Sequence, residues 1–123
     1  MSDVLEKEKF EIVLGRDEVD RKKFGTLGTA FLGKHYVKMG QVTALSQPVY
    51  LDLNKAHVVF VCGKRGSGKS YCLGVVAESI VQLPQEFSQR LSLVIFDTMG
   101  IYWTMKYPNH RDESLLHEWG LEG

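Results

Sequence analysis

Eight consecutive residues carry the strongest chemical signal in the chain: Gly63-Lys64-Arg65-Gly66-Ser67-Gly68-Lys69-Ser70. They fit the pattern G-x-x-x-x-G-K-[ST] at every fixed position. Glycines in such a loop let successive backbone N–H groups turn inward and leave no Cβ in the way of a phosphate. A helix opening at Lys69 adds the positive end of its dipole beneath that phosphate. Lys69 can reach the β- and γ-phosphates as a point charge, which makes it the catalytic candidate. The Ser70 hydroxyl suits Mg²⁺, a hard cation that takes oxygen ligands. Lys64 and Arg65 occupy free positions, where they can touch phosphate or face solvent. The backbone N–H of Tyr71 can face the α-phosphate, while its ring suits helix packing better than base stacking. No carboxylate lies between Asp52 and Glu78, whereas Lys55, Lys64, Arg65 and Lys69 are basic. The expectation is a nucleoside triphosphate with Mg²⁺, held by Gly63, Lys64, Arg65, Gly66, Ser67, Gly68, Lys69, Ser70 and Tyr71; no base-recognition motif separates ATP from GTP at this point. The competing reading is a glycine-rich turn that binds nothing.

A second acid could join the metal. Leu93-Val94-Ile95-Phe96-Asp97 is an apolar run that ends in a carboxylate, the shape of a strand whose Asp holds Mg²⁺ through water. It is equally the shape of an ordinary strand end. Thr98 follows Asp97, so no acid stands beside it. Ser70 and Asp97 are the metal candidates. His35, His57, His110 and His117 show no ligand spacing, and Cys62 and Cys72 form no C-x-x-C pair. Two cysteines read most simply as small buried thiols in a reducing compartment.

These groups need elements to position them. His57-Val58-Val59-Phe60-Val61-Cys62 is nearly continuous and β-branched, which predicts a strand buried on both faces at the centre of an α/β sheet. Lys69–Leu83 follows as a helix, with Cys72, Leu73, Val76, Ile80 and Leu83 at three- and four-residue steps. Pro84 limits its continuation. Leu91–Phe96 predicts a second buried strand. Upstream, Phe10–Leu14 and Pro48–Leu53 read as strands, the latter with proline at its tolerated first position. Asp17–Lys23, six charged residues in seven, reads as a solvated turn or connector. Gly25, Gly28, Gly33 and Gly40 break residues 25–42 into short apolar pieces, which suits a small β element. Asp112–Trp119 before Gly120 suits a short helix, and Glu113, Glu118 and Glu122 a solvated acidic tail. The predicted class is α/β: a partial P-loop core with a parallel sheet (residues 48–123), preceded by a small barrel-like β region (residues 1–47).

Composition limits the alternatives. The chain has 123 residues, 44% apolar and 24% charged, which excludes long disorder and coiled coil. No apolar run is long enough to span a bilayer, and the charged N-terminus is unlike a signal peptide. A cytoplasmic protein with no membrane partner is expected. Fifteen basic residues balance fifteen acidic ones, so a nucleic-acid partner would need a local patch.

The run Pro48-Val49-Tyr50-Leu51-Asp52-Leu53-Asn54-Lys55, the strand after it and Gly63–Ser70 together resemble HerA-type ATPases of the HerA/FtsK superfamily. Asp97-Thr98-Met99-Gly100-Ile101-Tyr102 is similar to the family's Asp-x-x-Gly-Glu-Tyr segment, with Ile101 where the family usually has Glu. The resemblance covers roughly Pro48–Trp103. It implies a RecA-like ATPase domain, a ring-shaped homo-oligomer, a helicase or DNA-translocating activity with DNA as partner, and a prokaryotic, especially archaeal, setting.

A complete core of this kind needs about five parallel strands and more than about 150 residues. The later strand with an Asp-Glu pair, a sensor residue and an arginine finger are not found. The chain therefore reads as a piece of a longer ATPase, or as a small protein that completes its sheet with a partner. It can bind ATP without hydrolysing it. Two other functions stay open. One is a P-loop kinase of a small metabolite or nucleoside, against which the fifty-odd residues before the loop strand count. The other is a non-catalytic nucleotide-sensing module.

Overall fold

The computed structural model describes residues 11–121, and the chain divides into two units between Leu93 and Val94. The first unit is organised around three strands: β1 (Ile12–Leu14), β2 (Thr29–Met39) and β3 (Val42–Asp52). Their order is β1-β3-β2. β2 and β3 form a long antiparallel hairpin, while β1 lies parallel to β3 with Ile12 opposite Val49 and Leu14 opposite Leu51. The sheet is thus mixed, where the sequence predicts a parallel one. β1 and β2 stand at the outer positions of these three strands. Phe10, the predicted start of the first strand, lies outside the described residues. Phe31 and Tyr50 face one another across the hairpin with ring centroids 5.4 Å apart.

Between β1 and β2 the charged run is a helix, α1 (Glu18–Phe24), and not the connector expected from its charge. Its order of charges explains this. Asp17 caps the first turn, accepting from the Asp20 N–H at 2.8 Å. Glu18 and Asp20 sit at the positive end of the dipole, and Arg21, Lys22 and Lys23 at the negative end. Arg21 also donates to the Glu11 carbonyl.

The polar centre of the unit is Asp52, only 2% exposed at the end of β3. Arg16 reaches it with Nε at 2.9 Å and also with Nη2. The same guanidinium donates to the carbonyls of Gly25 at 2.7 Å and Leu27 at 2.8 Å. His57 Nε2 lies 2.9 Å from the second carboxylate oxygen. The N–H groups of Asn54 and Lys55 point at the carboxylate from 3.4 and 3.2 Å. Gly15 backs the imidazole, since a Cβ there would lie 2.8 Å from His57 Cε1.

The segment beyond this turn departs from expectation. His57–Cys62 joins no strand; Val58 is fully exposed and Phe60 is 86% exposed. Leu91–Phe96 likewise joins no strand, and Phe96 is 91% exposed. A strand needs a neighbour for its N–H and C=O groups. The turn held by Asp52 leads the chain out of β3, and among the described residues neither run has a pairing strand. The predicted RecA-like parallel core is therefore not formed by the described residues.

Helix α2 (Lys69–Val81) appears where predicted, two residues shorter at its end. It lies against β2 through small residues: Ala77 is buried and Ser79 Oγ donates to the Phe31 carbonyl at 2.6 Å. Phe31 is where the β2–β3 register shifts. Cys72 and Leu73, on the predicted apolar stripe, are exposed. A short helix, α3 (Gln85–Ser88), follows with Pro84 at its cap position.

The second unit holds a 3₁₀ turn (Trp103–Lys106) and α4 (Glu113–Glu118). Trp103 and Tyr107 meet edge to face with centroids 6.1 Å apart. Asp112 holds the cap position of α4 but makes no side-chain cap. Instead, Asn109 Oδ1 accepts from the N–H groups of Arg111 and Asp112 at 3.2 and 3.3 Å. Gly120 ends the helix as expected, with the Gly120 and Leu121 N–H groups on the His117 and Leu116 carbonyls.

Two outcomes follow from this architecture. Burial alone would raise the Asp52 carboxyl, but hydrogen bonds from His57 and Arg16 outweigh it and hold the group below its ordinary range. Its contribution is then complete above about pH 4 and is lost as pH falls through the lower folded value. Asp52→Ala is expected to cost about 3–5 kcal/mol at neutral pH, because it strands the Arg16 charge. Asp52→Asn should flatten the acid limb of stability. Urea unfolding at pH 7 and pH 3 measures both; an Asp52→Ala protein as stable as wild type would contradict the first. The bare apolar runs should drive self-association, seen by sedimentation across the micromolar range. A sharp monomer boundary throughout would argue against it.

Candidate functional site

The loop Gly63–Gly68 leads directly into α2. Ser67 N–H donates to the Lys64 carbonyl at 3.1 Å, closing a tight turn. Gly66 and Gly68 have φ of +79° and +86°, angles that L side chains avoid, and a Cβ at either would meet nothing within 4 Å. Both positions therefore border open space, and their positive φ is what glycine adopts at no conformational cost. Gly63 is glycine for a different reason. A Cβ there would run into Ser67 Oγ and lie 3.2 Å from Ser67 Cβ.

Gly68 is the residue before α2, so no side chain caps the helix, and its first turn contains no acid. Cys72 N–H donates to the Gly68 carbonyl at 2.9 Å, the first bond of the helical ladder. Lys69 is half-buried, and its Nζ arches back to donate to the Lys64 carbonyl at 2.9 Å. The ammonium thus lies across the loop and ahead of the helix. Lys64, Arg65, Ser67, Ser70 and Tyr71 are exposed, and the Tyr71 ring, 77% exposed, does not pack along the helix.

The local charge is narrower than the sequence suggests. Lys55 is engaged away from the loop: it pairs with Asp17 at 2.8 Å and also with Asp20. Hydrogen bonds to those two carboxylates raise its ammonium well above the ordinary lysine value. Lys64, Arg65 and Lys69 form no ion pair among the described residues. Three cations remain beside an uncapped helix N-terminus.

Asp97 belongs to the second unit, where it organises its own turn. Its carboxylate accepts from the Tyr102 N–H at 2.7 Å, and its carbonyl from the Gly100 N–H at 3.3 Å. That backbone bond from Tyr102, joined by those from the residues before it, holds the carboxyl below its usual value. Gly100 takes φ of +65° within the turn. The Asp97-x-x-Gly100 spacing therefore has a local structural reason. Among the described residues no three His, Cys, Asp or Glu side chains cluster as metal ligands. Mg²⁺ does not require such a cage, since it is commonly held by one or two protein oxygens, phosphates and water.

Cys62 and Cys72 are both free and exposed, which corrects the expectation of buried thiols. Cys62 lies on the unpaired run, and Cys72 on the uncovered part of α2. The groups that the sequence left unmarked are Arg16, Asp52 and His57. No motif joins residues 36 positions apart, so their network became visible only in three dimensions.

No helix among the described residues is long and apolar enough to cross a membrane. No curated protein and no solved structure matches the chain. A family model described as the central domain of the helicase HerA matches residues 37–117. That span contains most of the β2–β3 hairpin, the glycine loop, α2, the Asp97 turn and nearly all of α4. The earlier resemblance rested on Pro48–Trp103, which lies wholly inside it. With well over half of its length matched, the chain belongs to the HerA helicase central-domain family.

Proposed function

We propose that the chain binds ATP through Gly63–Tyr71 and serves as the nucleotide-binding piece of a HerA-like ATPase. The observation that carries this reading is the glycine loop itself. It combines open space beside Gly66 and Gly68, an uncapped helix N-terminus and the Lys69 ammonium laid across it. Phosphate oxygens are the ligand that such a set of donors suits. Lys69 would move from the Lys64 carbonyl to the β- and γ-phosphates. Backbone N–H groups of the loop would take the remaining phosphate oxygens, with Lys64 and Arg65 adding charge at the rim. Mg²⁺, when bound, would neutralise phosphate charge, and the Ser70 hydroxyl is the loop group proposed to hold it. Metal duty for Asp97, the other candidate of the sequence, would require giving up, or sharing, the bond from Tyr102.

Membership of the family supports ATPase chemistry at the level of the family. The finer assignment is the proposal: a cytoplasmic, ring-forming ATPase acting on DNA, with residues 1–47 as a β-rich region and 48–123 as the first part of the ATPase domain. A kinase of a small metabolite is disfavoured, because the family match runs from residue 37 through the upstream hairpin.

The test is binding of a fluorescent ATP with Mg²⁺, for the wild-type chain and Lys69→Ala, with phosphate release followed in the same tubes. Micromolar binding that falls at least about tenfold in Lys69→Ala is expected, since roughly 1.4 kcal/mol corresponds to each factor of ten. Equal binding by both proteins would remove the loop from the site. Gly63→Ala should weaken binding as well, because the added methyl displaces Ser67. Its amide spectrum should change over residues 63–69 and not in the β2–β3 hairpin.

A further inference from the structure

Charge is unevenly spread along a chain that is neutral as a whole. Between Asp20 and Glu78 there are nine Lys or Arg residues and a single acid, Asp52. That acid is buried and already held by Arg16 and His57. The β2–β3 hairpin lies inside this basic stretch and has no other carboxylate. Its base is covered: β1 lies beside β3 at Val49–Leu51, and α2 bonds to β2 at Phe31. Further toward the turn, Lys34, Tyr36 and Lys38 on β2 and Val42–Ser46 on β3 are exposed.

From Tyr36 to the turn the register runs without a break, with Tyr36 opposite Leu45 and Lys38 opposite Thr43. Alternate residues share one side of a strand, so Tyr36 and Lys38 face the same way. Lys34 lies two residues before Tyr36, across a register shift. The Tyr36 ring is 61% exposed, and Leu45 opposite it is exposed as well. An aromatic face set between cations on an acid-free ribbon suits a strand of nucleic acid. Its phosphates take the charge, and its bases stack on the ring whatever their sequence. A sulfated sugar would use the lysines and leave the ring idle.

We propose that the far half of the β2–β3 hairpin is a docking surface for single-stranded nucleic acid, with Lys34 and Lys38 on phosphates and Tyr36 against a base. The strand is single because a base must leave its pair to lie on the ring. The surface needs no nucleotide in the glycine loop, so it does not rest on ATP binding there.

Fluorescence anisotropy of a labelled oligothymidylate of about 12 nucleotides, with the whole chain and no ATP, tests this. Tyr36→Ala is expected to weaken binding about tenfold, and Tyr36→Phe, which keeps the ring, to bind like wild type. The Lys34→Ala, Lys38→Ala double variant should flatten the slope of log K against log salt by about 1.4. Heparin, a polyanion without bases, should bind wild type and Tyr36→Ala alike. A duplex of the same length should bind more weakly than the single strand. Amide spectra unchanged outside residues 34–46 establish that the variants fold. Wild-type binding weaker than about 100 μM at low salt would overturn the proposal. So would a phenylalanine variant no better than alanine, an unchanged salt slope, a duplex bound as tightly as the single strand, or an equal loss of heparin in Tyr36→Ala. The hairpin variants should keep wild-type affinity for fluorescent ATP. If no form binds ATP while the oligonucleotide behaves as expected, the proposed function fails and the hairpin surface stands.

Discussion

A carboxylate with almost no exposure to water is the constraint on which the first unit depends. Asp52 is an expensive group to bury, and it is tolerable only because every side of it meets a donor. Those donors come from segments far apart in the chain. Arg16 follows β1 and His57 precedes the loop, while two backbone N–H groups come from the turn itself. Through Arg16 the node also reaches the carbonyls that end α1 and begin the approach to β2. One residue thus ties together β1, the end of α1, β3 and the turn that follows it as far as His57. The apolar core is too slight to do this by itself; Ala30 and Ala77 are its only buried apolar members among the described residues.

The elements that local chemistry decides were legible in the sequence. The glycine pattern and its following helix are of this kind, since φ above zero and the start of α2 are fixed within a few residues. The Gly120 stop of α4 and the proline-led half of β3 are others. What failed was decided at a distance. Val58–Cys62 and Leu91–Phe96 have the composition of central strands, but composition cannot supply a neighbour. A strand is a property of a pair, and the hairpin that does form is antiparallel because its two halves adjoin in sequence. Asp17–Lys23 failed for a different reason. Counting charges hid the order of the charges, which is that of a short, capped helix. The Asp52 network left no trace at all, because nothing in a linear pattern distinguishes a buried aspartate at a strand end from an exposed one.

The same contrast runs through the candidate site. The loop, the uncapped helix and Lys69 form a local assembly, and the sequence gives each member its place. Asp97 is different. Its position after an apolar run suggested a metal ligand, and in the structure its oxygen accepts from a backbone N–H five residues further on. An aspartate that opens a turn closed by a glycine three residues later has a conformational reason to exist. That reason is compatible with a second duty, but it removes the need for one.

The two thiols give the loop an unplanned use. Cys62 stands one residue before the first loop glycine, and Cys72 one turn into the helix after it, both uncovered. A reagent that attaches to sulfur would place its label immediately beside the glycine loop without any engineered change. The chain carries two native attachment points for a spectroscopic reporter, and conversely two places where oxidative damage would strike the site before it reached the sheet.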